Sequence, residues 1–201
     1  AGEESGRYIA NWDATDAIGA FTGEIKSGTQ ATAVLDNVTG AGTSATFSGS
    51  GIAEGEGTFC AVYPASRIYG GTSAALVSMD AKTAQKPTAT SFDHEADILA
   101  SKEVEYKVTA AGADIGTLEF ARMVSIVKIN LLGDYASGEK VEKLTFSTES
   151  TDISGRMQLS VAEGKFVQMS SPVKVVTAEP SEDVAIGTGS IWLTVAPVTV
   201  P

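Results

Sequence analysis

The chain has 201 residues, 43% of them hydrophobic, which is enough for a packed core and excludes wholesale disorder. Its 25 acidic residues against 14 basic ones give a formal net charge of -11, and so few cations exclude a grip on a phosphate backbone. The charge describes a solvated, self-repelling surface, while a composition rich in Gly, Ser, Thr, Ala and Val favours many short strands over long helices.

Strand-like stretches come in short succession along the chain. Residues 17–21 and 31–35 are the first two, followed by turn signals at Asp36-Asn37 and across 39–43. Residues 45–48, 58–63 and 75–79 come next, with Cys60 and Val62 on one face of their strand. Residues 98–100 are strand-like, and 104–108 alternate with Val104, Tyr106 and Val108 on one face. The most apolar run, 118–132, is rich in β-branched residues and apolar in both strand phases. It is expected to be a central strand of a packed sheet. The pattern then restarts after Gly133 and continues through 141–146, 155–161, 165–169, 173–176 and 190–195. Short strands punctuated by turns predict an all-β sandwich. A boundary is expected near 133–140, giving a β-sandwich over 1–135 and the incomplete beginning of a second over 136–201.

Residues that could carry chemistry are sparse. Cys60 is the single cysteine, so no internal disulfide forms, and on a strand it is expected as a small buried hydrophobe. The single histidine, His94, lies far from it in sequence, which argues against a thiol nucleophile. Asp93-His94-Glu95, with Asp97 close behind, has the residue types of a calcium site or a His–carboxylate pair. It lacks the alternating Asp/Asn and turn glycine of a calcium loop and is expected to be an exposed turn. Gly49-Ser-Gly51 precedes no Lys-Ser or Lys-Thr and cradles no phosphate. The sequence leads to the expectation of no cofactor, no metal ligand set and no catalytic residue. Sugar stacking would need exposed aromatics. The candidates are Tyr8, Trp12, Tyr63, Tyr69, Tyr106, Tyr135 and Trp192, with Tyr69 expected on a loop.

Five phrases in order over 12–130 carry a resemblance. Residues 12–21 open with Trp12 and an Asp-Ala-Ile-Gly-Ala-Phe ending, and Phe47 sits in Ala-Thr-Phe-Ser-Gly. Tyr63-Pro64-Ala-Ser follows, then Asp97-Ile-Leu-Ala, then Phe120-Ala-Arg-Met-Val-Ser-Ile-Val. Together they resemble the fimbrillin-type pilus subunits of Bacteroidales. The resemblance implies transthyretin-like β-sandwiches, export as a lipoprotein anchored at the outer membrane, and assembly with other subunits into a cell-surface fimbrium by β-strand exchange. It also implies removal of an N-terminal strand by a protease, for which Arg7 is the candidate cut. Ala1 is no natural start, so upstream processing sequence is expected to have been removed, and no lipid-attachment cysteine is in view. The partners implied are other pilus subunits and a host protein or glycan, not nucleic acid. The expected function is a structural or adhesive fimbrial subunit. A carbohydrate- or host-protein-binding adhesin module is the alternative, and an enzyme such as a two-carboxylate glycosidase ranks last.

Overall fold

A computed structural model describes residues 2–4, 7–9, 11–23, 25, 28, 30–73, 76–110, 115–133, 139–161 and 163–197, with main chain only at 2–4, 7–9 and 72–73. In chain order the first strands are β1 (Gly2–Glu4), β2 (Arg7–Ile9), β3 (Ile18–Thr22), β4 (Ala33–Leu35), β5 (Asn37–Thr39), β6 (Thr46–Ser48) and β7 (Gly55–Tyr63). There follow β8 (Ile68–Ser73), β9 (Leu76–Asp80), β10 (Ala84–Gln85), β11 (Leu99–Ser101), β12 (Val104–Val108), β13 (Phe120–Arg122) and β14 (Ser125–Asn130). The last are β15 (Leu144–Ser147), β16 (Ser154–Ser160), β17 (Lys165–Val173), β18 (Val175–Ala178) and β19 (Ser190–Val195). The only helical pieces among the described residues are single 3-10 turns at Ala65–Arg67 and His94–Ala96.

A six-stranded sheet, β13-β11-β7-β3-β4, forms one layer, with β12 pairing the first half of β7 and β11 its end. A four-stranded sheet, β17-β16-β9-β8, forms the other. Alternation along the strands sends Cys60, Val62, Ala100, Val77, Met79, Met157 and Leu159 into the space between the layers, where all are buried. Gly19 of β3 leaves room for Ile68 of β8, since a Cβ there would lie 2.0 Å from the Ile68 Cδ1. The predicted shared face of Cys60 and Val62 is present, and the all-β sandwich class holds.

A second, smaller pair of sheets, β10-β18-β15 and β14-β19, encloses Ile153, Val176, Val184, Ile191 and Leu193. Gln85, 2% exposed, ties the two together. Its Nε2 donates to the carbonyls of Lys82 and Thr194, both at 2.8 Å, and its Oε1 accepts from the Thr194 N–H at 2.9 Å. This buried amide uses its polar groups where a strand would otherwise supply a ladder.

The hydrogen bonding does not part at 133–140. β9 pairs with β16, β10 with β18 and β14 with β19, so strands beyond residue 140 sit in sheets with strands before it. Non-local partnership of this kind leaves no mark on local composition. The run 118–132, expected as one central strand, is two strands in different sheets. β13 edges the six-stranded sheet, Met123 and Val124 drop into the first core, and β14 pairs with β19. The run is apolar in both phases because it serves three apolar clusters in turn: Phe120 one, Met123 and Val124 another, and Val127, Ile129 and Leu131 the third. The turn signals at 36–43 also conceal β5, which pairs with β6 in a hairpin.

The bulged β16–β17 pairing depends on Gly155. Its φ is +120° and a Cβ would stand 2.0 Å from the Ser171 carbonyl oxygen. Gly155→Ala is expected to destabilise the fold by about 2 kcal/mol, lowering Tm by about 4–8 °C in a chain of this size. Scanning calorimetry that found an unchanged Tm would show that the strand pair tolerates a side chain there.

Candidate functional site

The outer face of the six-stranded sheet is as apolar as its inner face. Ile18, Ala20, Leu35, Phe59, Ala61, Tyr63 and Leu99 are buried on it, although among the described residues the four-stranded sheet packs only on the other face. Two short coverings flank it instead. One is the β5–β6 hairpin with its connecting turn, and the other is the segment 115–120 leading into β13. Between them lies a cleft of about 1070 Å³, floored by Ile18, Leu35, Phe59 and Leu99.

Trp12 closes one end of the cleft. Its main chain exchanges hydrogen bonds with Gly42, Trp12 N to Gly42 O at 2.7 Å and the reverse at 3.3 Å. Gly42 has φ +85°, so the turn that meets Trp12 needs a residue without a Cβ penalty. The half-buried indole stands edge-on to Phe47, Tyr63 and Phe120 at centroid distances of 4.9, 5.4 and 5.2 Å. Such T-shaped arrangements set positive ring edges against negative faces.

A buried polar clasp holds the segment that carries Trp12. Asp16 is 4% exposed, and its Oδ1 accepts from Tyr63 Oη at 2.9 Å and lies 2.8 Å from His94 Nε2. Its Oδ2 accepts from the Asp13 N–H at 2.7 Å. Burial opposes ionisation of Asp16, but the His94 hydrogen bond, the Asp13 amide and the imidazolium charge together hold its carboxyl below the usual range. The same Asp16 hydrogen bond holds His94 above its usual range against burial, with the Asp16 and Asp97 charges adding to it. Burial, then the neighbouring Asp16 charge, pushes the Tyr63 phenol up.

Residues 93–97 are therefore not the exposed turn expected from sequence. Asp93 is 6% and Asp97 1% exposed. Asp93 caps its 3-10 turn by accepting from the Glu95 N–H, and also accepts from the Lys86 N–H at 2.7 Å and Lys82 Nζ at 2.9 Å. Asp97 takes a two-pronged grip from Arg122, Nε to Oδ1 at 2.7 Å and Nη2 to Oδ2 at 2.9 Å. Asp93 and Asp97 turn inward to cross-link the segment 82–86 and β13, which local composition cannot distinguish from a solvated turn. Asp16 and Arg122 both lie in the phrases that carry the resemblance, but their pairing with His94 and Asp97 is not legible there, because those partners lie 78 and 25 residues away.

Other candidates separate. Cys60 is 2% exposed and its thiol is pushed up to about 12 by burial, then by Glu103, so it is an inert core group. Trp192 is 5% exposed, with Lys128 Nζ 4.4 Å from its ring, and Tyr106 packs on Phe59. Tyr69, expected on a loop, lies in β8 at a register shift, 55% exposed, with the Arg156 guanidinium 3.2 Å over its ring. The β-bulge places an aromatic at the surface of a strand. Arg7 opens β2 and pairs with Glu4 across the terminal hairpin. Tyr135 and the side chain of Tyr8 lie outside the described residues. Trp12 alone of the candidate aromatics lines the cleft.

A family profile described as fimbrillin-like matches residues 7–198. No curated protein and no solved structure matches the chain.

The clasp predicts a defined pH dependence. Because the folded pKa of His94 is raised above 6.5, its contribution is full below that value and is lost as pH rises through the folded pKa. Because that of Asp16 is lowered below 3.8, its contribution is present above that value and lost as pH falls through the folded pKa. His94→Gln is expected to lower Tm by about 2–4 °C between these limits, corresponding to about 1 kcal/mol for a charged hydrogen bond whose imidazole is partly exposed. The deficit should shrink at alkaline pH, and a wild-type minus variant Tm difference that is flat with pH would show that the pair is uncoupled from folding.

Proposed function

Because the chain belongs to the fimbrillin-like family of structural pilus subunits, we propose that this fimbrial subunit joins its neighbours by accepting a β-strand along β14. The observation that carries the reading is the pairing of β14. Among the described residues it has one sheet neighbour, β19, and belongs to a sheet of two strands. An edge strand presents a row of main-chain donors and acceptors that templates another strand. Beside that edge the third apolar cluster is incompletely covered. Val127, Ile129, Leu131, Leu144 and Phe146 are all only partly buried, and Leu132 is 79% exposed. A donor with alternating apolar residues would add both the ladder and the missing side chains, the hydrogen bonds supplying affinity and the alternation supplying register.

The terminal hairpin supports a processing step. Arg7 begins the second strand of β1–β2, so a cut after it separates β1 from the rest of the chain. The same reading includes transthyretin-like strand order, a lipidated precursor and placement at the outer membrane.

Hydrogen exchange across Ser125–Asn130 checks the acceptor edge. Amides of β14 that point away from β19 are expected to exchange at least about tenfold more slowly in assembled fibres than in the isolated subunit, as strand pairing protects them. Equal rates in both states would refute acceptance at β14. For the cut, mass spectrometry after an arginine-specific protease is expected to show loss of residues 1–7, blocked by Arg7→Ala. Intact wild-type chains would remove Arg7 from the maturation scheme.

A further inference from the structure

We propose that the cleft over the outer face of the six-stranded sheet binds a neutral oligosaccharide. Its volume of about 1070 Å³ stands at the top of the range of roughly 300–1000 Å³ in which small-molecule sites fall. The site is distinct from the β14 edge, and the inference does not depend on strand exchange.

The lining combines two chemistries on opposite levels. The floor and one end are apolar and partly aromatic, with Phe59 beneath, Trp12 at the end and Phe47 and Phe120 in the walls. The rim is hydroxylic. Thr43, Ser44, Thr46 and Ser48 line one wall, while Thr117 and Glu119 line the other. A pyranose has the complementary division, a C–H face that packs on aromatic rings and a girdle of hydroxyls that exchange hydrogen bonds with side-chain oxygens.

Charge narrows the class. Arg122 reaches the cleft, but its guanidinium is committed to Asp97 through two hydrogen bonds. Glu119 is the exposed charge on the rim, and the chain carries a formal net charge of -11. A sulfated or uronic-acid ligand would therefore meet repulsion, which favours a neutral sugar. An extended peptide is the competing occupant. It finds little ladder to extend here, because residues 43–45 and 115–119 belong to no strand and β6 offers three residues.

Trp12 provides the readout, since the chain has 2 tryptophans and Trp192 is 5% exposed in β19, away from the cleft. Titration of the full chain with maltotriose, cellotriose and triacetylchitotriose is expected to give a saturable change in indole emission with at least one, with Kd on the order of 1 mM. Trp192→Phe should retain that change. Trp12→Phe should abolish it while saturation-transfer NMR still reports bound sugar or a weakened complex. Glu119→Gln and Thr46→Val, both at exposed positions, should weaken binding several-fold without altering Tm. Absence of both emission change and saturation transfer with all three sugars would overturn the assignment. So would affinity unchanged in both rim variants, or saturable binding of an alternating Val-Thr peptide in place of every sugar.

Discussion

The constraint on which the molecule turns is that the second half of β7, from Phe59 to Tyr63, is buried on both faces. Cys60 and Val62 point into the space between the sheets, while Phe59, Ala61 and Tyr63 point the other way into an equally apolar surface. A strand apolar on both faces requires cover on both. The four-stranded sheet supplies one cover continuously. On the other side the cover is assembled from a three-residue-strand hairpin, an extended segment and a single indole. The cleft is the space those pieces leave, so it follows from the way the core is built and not from an insertion added to a finished fold.

Polar cross-links hold the elements that flank the cleft. Asp16 fixes the approach to β3 through Tyr63 of β7 and His94 of the 3-10 turn, and Arg122 fixes β13 to the same turn through Asp97. Each of these carboxylates is almost fully buried, so loss of one partner leaves a charge in an apolar setting, which costs more than the pair contributes. Residues 93–97 thus act as a hub between the two flanks of the cleft. The gap in the covering is held open by well-satisfied hydrogen bonds.

Much of the layer architecture is legible in the sequence, and the site is only partly so. Alternation at 58–63 and 104–108 gives strands and faces directly, and 190–195 matches β19. Partnership is not legible: nothing local tells residues 84–85 that their neighbour is β18, or residues 125–130 that theirs is β19. The apolar run 118–132 misleads because periodicity reports how many faces are covered, not whether one core covers both. Trp12, Asp16, Asp97 and Arg122 all lie in marked phrases, but that they meet in one site shows only when β3, the 3-10 turn and β13 are brought together.

The β10–β18 and β14–β19 pairings have a kinetic consequence. Ala84 meets Thr177 and Ser125 meets Val195, so the smaller pair of sheets is closed by contacts spanning much of the chain. High contact order of this kind slows folding, because loop-closure entropy is spent before the apolar gain arrives. The third cluster cannot close until residues 190–195 are in place, since Ile191, Leu193 and Val195 belong to it. A chain entering a new compartment from its N-terminus would hold Val127 and Ile129 unsheltered until residues 190–195 had followed. A holding chaperone would act on the interval between those two events.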